Sequence, residues 1–158
     1  MHLLTTDLPT SGTGGYYRID TDRRLRIEEY QGQVGLMDLK GMIASMVSDP
    51  CWSPDFHGLV DFSAAELDLS ANDVLRLALV MRYEGNRSRG WLVFVTTNST
   101  AYGTVRMLGY WSRNTDRMRI FNDRHEAENW LERHANQAPP DFRERDGFHE
   151  AATLRCVI

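Results

Sequence analysis

Asp61 is the one ionisable side chain in the apolar run Leu59-Val60-Asp61-Phe62, and Asp68-Leu69-Ser70-Ala71 soon follows at the head of an apolar helix. A carboxylate among apolar neighbours must find a donor, which shifts its titration, or it marks the carboxyl end of a strand, where open α/β sheets bind ligands. A hydrogen bond to a nearby loop amide is the simpler expectation for Asp61. Ser70 is followed three positions on by Asp73, a capping-box variant. As an N-cap its hydroxyl would contribute about 1 kcal/mol.

Cys51, His57 and Asp61 supply the residue types of a nucleophilic relay. Such a relay needs spatial adjacency that this spacing does not establish, and His57 reads more simply as a strand-entry residue. No Gly-x-Ser-x-Gly elbow occurs. His125, His134, His149 and Cys156 contain no close ligand pair, so no metal site is expected. No catalytic residue and no cofactor is assigned. Tyr83, Tyr102, Tyr110 and Trp111, with Gly103 beside Tyr102, are placed to line a pocket between two helices for a small apolar ligand. Core packing is the competing account of aromatic residues at helical spacing.

The elements that must position these residues follow from hydrophobic period. Residues 16–20 and 25–30 read as strands joined by the hairpin-length turn Thr21-Asp22-Arg23-Arg24. In the second, Leu25 and Ile27 point one way and Arg26 and Glu28 the other, the period of a half-buried strand. Leu36, Leu39, Ile43, Met46 and Val47 form one face of a helix that Asp49-Pro50 ends. The strand 59–62 ends at Ser63, and Glu66 and Asp68 make an acidic turn into a helix from Ser70 to about residue 84. Val74, Leu75, Ala78 and Met81 should face inward, with Leu77, Leu79 and Val80 widening that face. Trp91-Leu92-Val93-Phe94-Val95 is unbroken and apolar, as a strand covered on both faces should be. A helix at 100–112, an alternating outer strand at 117–121 and a helix headed by Asp123 and Glu126 complete the order. Residues 1–15 read as a flexible leader, 16–133 as the domain and 134–158 as an extension that could return as an edge strand. The fold class is α/β: a mixed sheet of about five strands, parallel at its centre, with about four packing helices.

Composition bounds the rest. The chain has 158 residues, 42% hydrophobic and 25% charged, with net charge −4, which suits one soluble globular domain. Arg82, Arg87, Arg89, Arg113, Arg117 and Arg119 could form a basic face, but interleaved acids favour a solvated surface, so no nucleic-acid partner is expected. Lys40 is the only lysine; the scattered arginines suit compositional bias better than an anion site. Cys51 and Cys156 are too few for a disulfide framework and suit reduced thiols in a cytoplasmic protein. The start, MHLLTTDLPT, has no signal-peptide pattern, and no apolar run is long enough to span a membrane.

With this order in place, residues 16–133 resemble the SpoIIAA-like group, relatives of the STAS domain (sulphate transporter and anti-sigma factor antagonist). The resemblance is carried by the two-strand start, Leu59-Val60-Asp61-Phe62, Ala101-Tyr102-Gly103 with Arg106-Met107, Ile120-Phe121-Asn122-Asp123, Glu126-Ala127 and Trp130-Leu131. It implies a STAS-like regulatory or protein-interaction domain without catalysis. In the anti-sigma antagonists an Asp-Ser-Ser-Gly turn carries a phosphorylated second serine. The matching stretch here is Asp68-Leu69-Ser70-Ala71, which keeps Asp68 and Ser70 and departs at Leu69 and Ala71. The resemblance therefore makes Ser70 and Asp68 the candidate phosphorylation or partner site, and Asp61, Tyr83, Tyr102, Gly103 and Trp111 the candidate ligand or partner surface. It also implies, through likeness to CRAL-TRIO domains, a second function: carrying a small apolar, lipid-like ligand. A protein partner is expected, with a homodimer through the third helix or residues 154–158 as one form of it.

Overall fold

The computed structural model describes residues 14–140. β1 (Gly14–Asp20) and β2 (Leu25–Val34) form an antiparallel hairpin; then come α1 (Leu36–Val47), β3 (His57–Leu67), α2 (Ala71–Arg82), β4 (Leu92–Val95), α3 (Ser99–Ser112), β5 (Met118–Phe121) and α4 (Arg124–His134). A short 3-10 turn, Glu84–Asn86, follows α2. The order of elements is the one expected from hydrophobic period. The five strands lie in sequence order, and β2 to β5 are parallel.

Each crossover steps to the next strand in the same direction, so right-handed connections place α1, α2 and α3 on one face of the sheet. Leu39, Met42, Val74, Leu77, Val105 and Leu108 from those helices close a core over Tyr30, Val60, Phe62, Leu92 and Phe94. The helix after β5 has no further strand to reach and covers the other face, where Ala127 and Leu131 pack on Leu25, Ile27, Leu59, Val93 and Val95. Gly109 brings α3 close to β5: a Cβ there would lie 3.0 Å from Met118 Sδ.

Three local expectations are corrected. β3 does not end at Ser63. It runs eleven residues to Leu67, so Glu66 is a strand residue paired with Gln33 rather than part of an acidic turn. The reason is β2, whose ten residues, with a bulge between Glu29 and Gln31, keep offering ladder partners out to Val34. Arg26 and Glu28 do not face water, because α1 and α2 cover their side of β2 and leave them 7% and 5% exposed. Leu75 and Leu79 stand outside on α2, 41% and 55% exposed, and Leu77 lies in the core.

β1 begins at Gly14, and Gly15 packs against the Tyr30 ring so closely that a Cβ would meet Cδ1 at 2.6 Å. Beyond α4, Trp91 Nε1 donates to Gln137 O at 2.9 Å, tying the first residues past 134 to the sheet. The strand or dimer contact expected of residues 151–158, and Cys156, lie outside the described residues.

Candidate functional site

Asp61 lies in β3 opposite Val95, the last residue of β4, so it stands level with the carboxyl ends of the shorter parallel strands. Its side chain is on the α4 face and is almost buried. Arg124, the first residue of α4, donates through Nη1 to Asp61 Oδ2 at 2.8 Å and to Glu29 Oε1 at 3.0 Å. Its Nε donates to Glu128 Oε1 at 2.9 Å. The Ser63 amide supplies Asp61 Oδ1 with a second donor at 2.8 Å. Burial pushes the Asp61 carboxyl up, but the bonds from Ser63 and Arg124 outweigh it and hold the group below its ordinary value. Burial works against the Arg124 charge too, and its three carboxylate partners reverse that, raising its pKa. The Tyr16 hydroxyl donates to Glu29 from β1, and that bond raises the tyrosine's pKa. Asp61 thus has a cation and, in place of the expected loop amide, the amide of Ser63 within its own strand. Arg124, which joins β2 and β3 to α4, is the functional-looking residue that the sequence reading missed. Its four-residue spacing from Glu128 was visible; its contact with Asp61 was not.

Ser70 is exposed at the head of α2. Its hydroxyl accepts the Asp73 N–H at 3.1 Å, and the Asp73 carboxylate accepts the Ser70 N–H at 3.1 Å. The capping box is complete, as the spacing suggested. Asp68, in the short segment before it, donates its backbone N–H to Val34 O at 2.9 Å and has an exposed side chain.

The aromatic residues do not make a pocket. Tyr83, Tyr102 and Tyr110 are 69%, 45% and 76% exposed, while Trp111 packs partly buried against the core. Gly103 has open space around it, so no backbone approaches there. On α3 the residues facing the sheet are Ala101, Val105, Leu108 and Gly109, which turns Tyr102, Gly103 and Tyr110 to solvent. Tyr83, Tyr102 and Gly103 therefore lie on an exposed surface rather than facing the sheet.

No relay forms around His57. Its Nδ1 accepts the Trp91 N–H at 3.0 Å, so Nε2 carries the proton and meets Ala135 O at 2.9 Å. Both nitrogens are committed to backbone groups. Cys51 is exposed, with its amide bonded to Asp49 Oδ1 at 2.9 Å. Among the described residues no cluster of His, Cys, Asp and Glu could hold a metal ion.

Arg87, Arg89 and Arg117, three of the arginines weighed as a basic face, lie close together. They join Arg24 around a cleft of about 680 Å³ at the amino-terminal edge of the parallel strands, where Arg89 pairs with Asp55 at 2.8 Å. Arg119 is elsewhere, stacked 5.0 Å from the Trp91 ring and 5.6 Å from Trp130. A second feature missed in the sequence is polar and internal: Arg26 donates to Glu28, and the Tyr30 hydroxyl donates to the same carboxylate at 2.8 Å.

No family model matches the chain, and no curated protein does. Among solved structures it is similar to an uncharacterized protein of the DUF3478 family with a SpoIIAA-like fold from Shewanella loihica PV-4. The two share 17% identity and a TM-score of 0.53 over 79% of this chain and 99% of that one. The chain has a SpoIIAA-like fold. The resemblance stated from motifs therefore holds for the fold: a hairpin start, a parallel remainder and four helices match the SpoIIAA-like arrangement. No helix among the described residues is long and apolar enough to cross a membrane.

Proposed function

We propose that this SpoIIAA-like domain is a non-catalytic recognition module and that it docks a protein partner on the outward face of α2 and α3. The observation that carries this is the exposure of large apolar side chains there. Leu79 is 55%, Tyr83 69% and Tyr110 76% exposed, with Leu75, Tyr102 and Met107 beside them on the same two neighbouring helices. Contiguous apolar surface on a folded domain marks an interaction site.

Charge narrows the partner. The two helices carry Arg76, Arg82 and Arg106, with Arg113 at the α3 C-cap, against a single acid, Asp73 in the first turn of α2. The chain as a whole is acidic, so this basic bias is local. An apolar segment with an acidic rim fits it, whereas a second copy would set arginine against arginine. Ser70 heads the same helix, so a phosphate there would add negative charge at one end of the docking face. Capping accounts for Ser70 without it.

The test is a photo-crosslinking residue placed at Tyr110 in the native host, with light scattering of the purified protein. The expected result is a heteromeric product, lost when Leu79→Asp is introduced, and a monomer in solution. Crosslinks only to a second copy, or products unchanged by Leu79→Asp, would overturn the proposal.

A further inference from the structure

The costliest arrangement in the molecule lies under α1 and α2. Arg26 and Glu28 sit there among Met46, Leu77 and Phe94, with Asn86, Ser88 and Asn114 the other polar residues around them. A buried ion pair gains little against its desolvation, and hydrophobic residues of similar volume would often serve stability as well. The pair is also incompletely satisfied. Arg26 Nε and Ser88 Oγ are buried without a hydrogen-bond partner, in residues 7% and 9% exposed. Buried donors are nearly always paired, so two orphans at one place need a cause.

Both residues line the same cavity of about 60 Å³, which lies between the sheet and the helices with Ile43, Leu77 and Leu108 in its wall. Its volume is roughly that of two molecules of liquid water at about 30 Å³ each, enough for a few heavy atoms. The Arg26 guanidinium is held over Gly58, where a Cβ would lie 2.9 Å from both Nε and Nη2. The glycine leaves the room in which Arg26 keeps its Nε beside the cavity.

We infer that this cavity is a binding site for a small uncharged molecule with one oxygen acceptor, such as a carboxamide or ketone, and an apolar body no larger than a methyl group or two. The acceptor takes the Arg26 Nε–H and the Ser88 hydroxyl, and the body meets the aliphatic wall. The ligand is uncharged because Glu28 already neutralises Arg26, and a second carboxylate would face Glu28 in a low-dielectric interior. The site is distinct from the proposed docking face and does not depend on it.

Met46 and Met81 also line the cavity, so their methyl groups report on it. In a protein labelled with 13C-methyl methionine, acetamide and acetate are titrated in turn. The two probes have the same shape and differ in charge. Acetamide should shift the Met46 and Met81 resonances saturably, and acetate should bind about tenfold more weakly. Ser88→Ala should weaken the amide about fivefold, the loss of one hydrogen bond. Gly58→Ala, which displaces the guanidinium, should do the same if the first variant folds poorly. The inference fails if neither probe moves the two resonances, which would mean a cavity of water only. It fails equally if the acid binds as well as the amide, or if a folded Ser88→Ala or Gly58→Ala protein binds unchanged.

Discussion

Arg124 Nη1 lies 2.8 Å from Asp61 Oδ2 and joins the first residue of α4 to the third strand of the sheet. The guanidinium is 27% exposed and also serves Glu29 and Glu128, so one cation holds three carboxylates. It stands at a helix N-terminus, where positive charge is disfavoured by the helix dipole. Its place there is therefore owed to its partners.

Arg124→Met should destabilise the domain by about 1–3 kcal/mol, since Asp61 and Glu29 would face each other without their cation. Adding Asp61→Asn should recover part of the loss. Urea unfolding of the two variants measures both steps; a double variant no better than the single one would show that the charges do not interact through Arg124.

The depressed Asp61 titration sets an acid limit. A carboxyl whose folded pKa lies below its unfolded value contributes stability that is complete above the unfolded value, about 3.9, and is lost as pH falls through the folded one. Wild-type stability should therefore drop below about pH 4 more steeply than that of Asp61→Asn. Urea midpoints at a series of acid pH values check this. Parallel curves would remove Asp61 from the acid response.

Ser70→Ala should cost about 1 kcal/mol through the lost cap. If capping is its whole role, crosslinking to the partner stays as in the wild type. A phosphorylated form of the protein from its own host that disappears in Ser70→Ala would add control of binding to that role.

His57→Phe should cost about 2 kcal/mol, because the Trp91 amide and the Ala135 carbonyl both lose their side-chain partner. The imidazole joins the start of β4 to the end of α4, so hydrogen exchange at Trp91 should rise with the loss. A change below about 0.5 kcal/mol would show that water replaces the ring without penalty.

Period and capping signals in the chain were enough for the order of its nine main elements, the buried β4 and the capped start of α2. Those signals are local: an apolar side chain repeats at the spacing of the element that buries it, and a cap bonds three residues along. The family likeness of the fold was legible for the same reason. The outward position of Tyr83, Tyr102 and Tyr110 was not, because a helix pattern says which residues share a face and leaves open which face meets the sheet; Leu75, expected inside, lies outside on that account.

What the sequence by itself determined is therefore the set of elements, their sequence along the chain and the sites where helices begin. Tertiary structure alone decided the rest. It extended β3 past Ser63 by offering β2 as a ladder, sank Arg26 and Glu28 beneath two helices, and set Arg124 against Asp61 across 63 residues. Each of these depends on a partner distant in the chain, and the energy of burial or of an ion pair belongs to the pair in space rather than to either residue type.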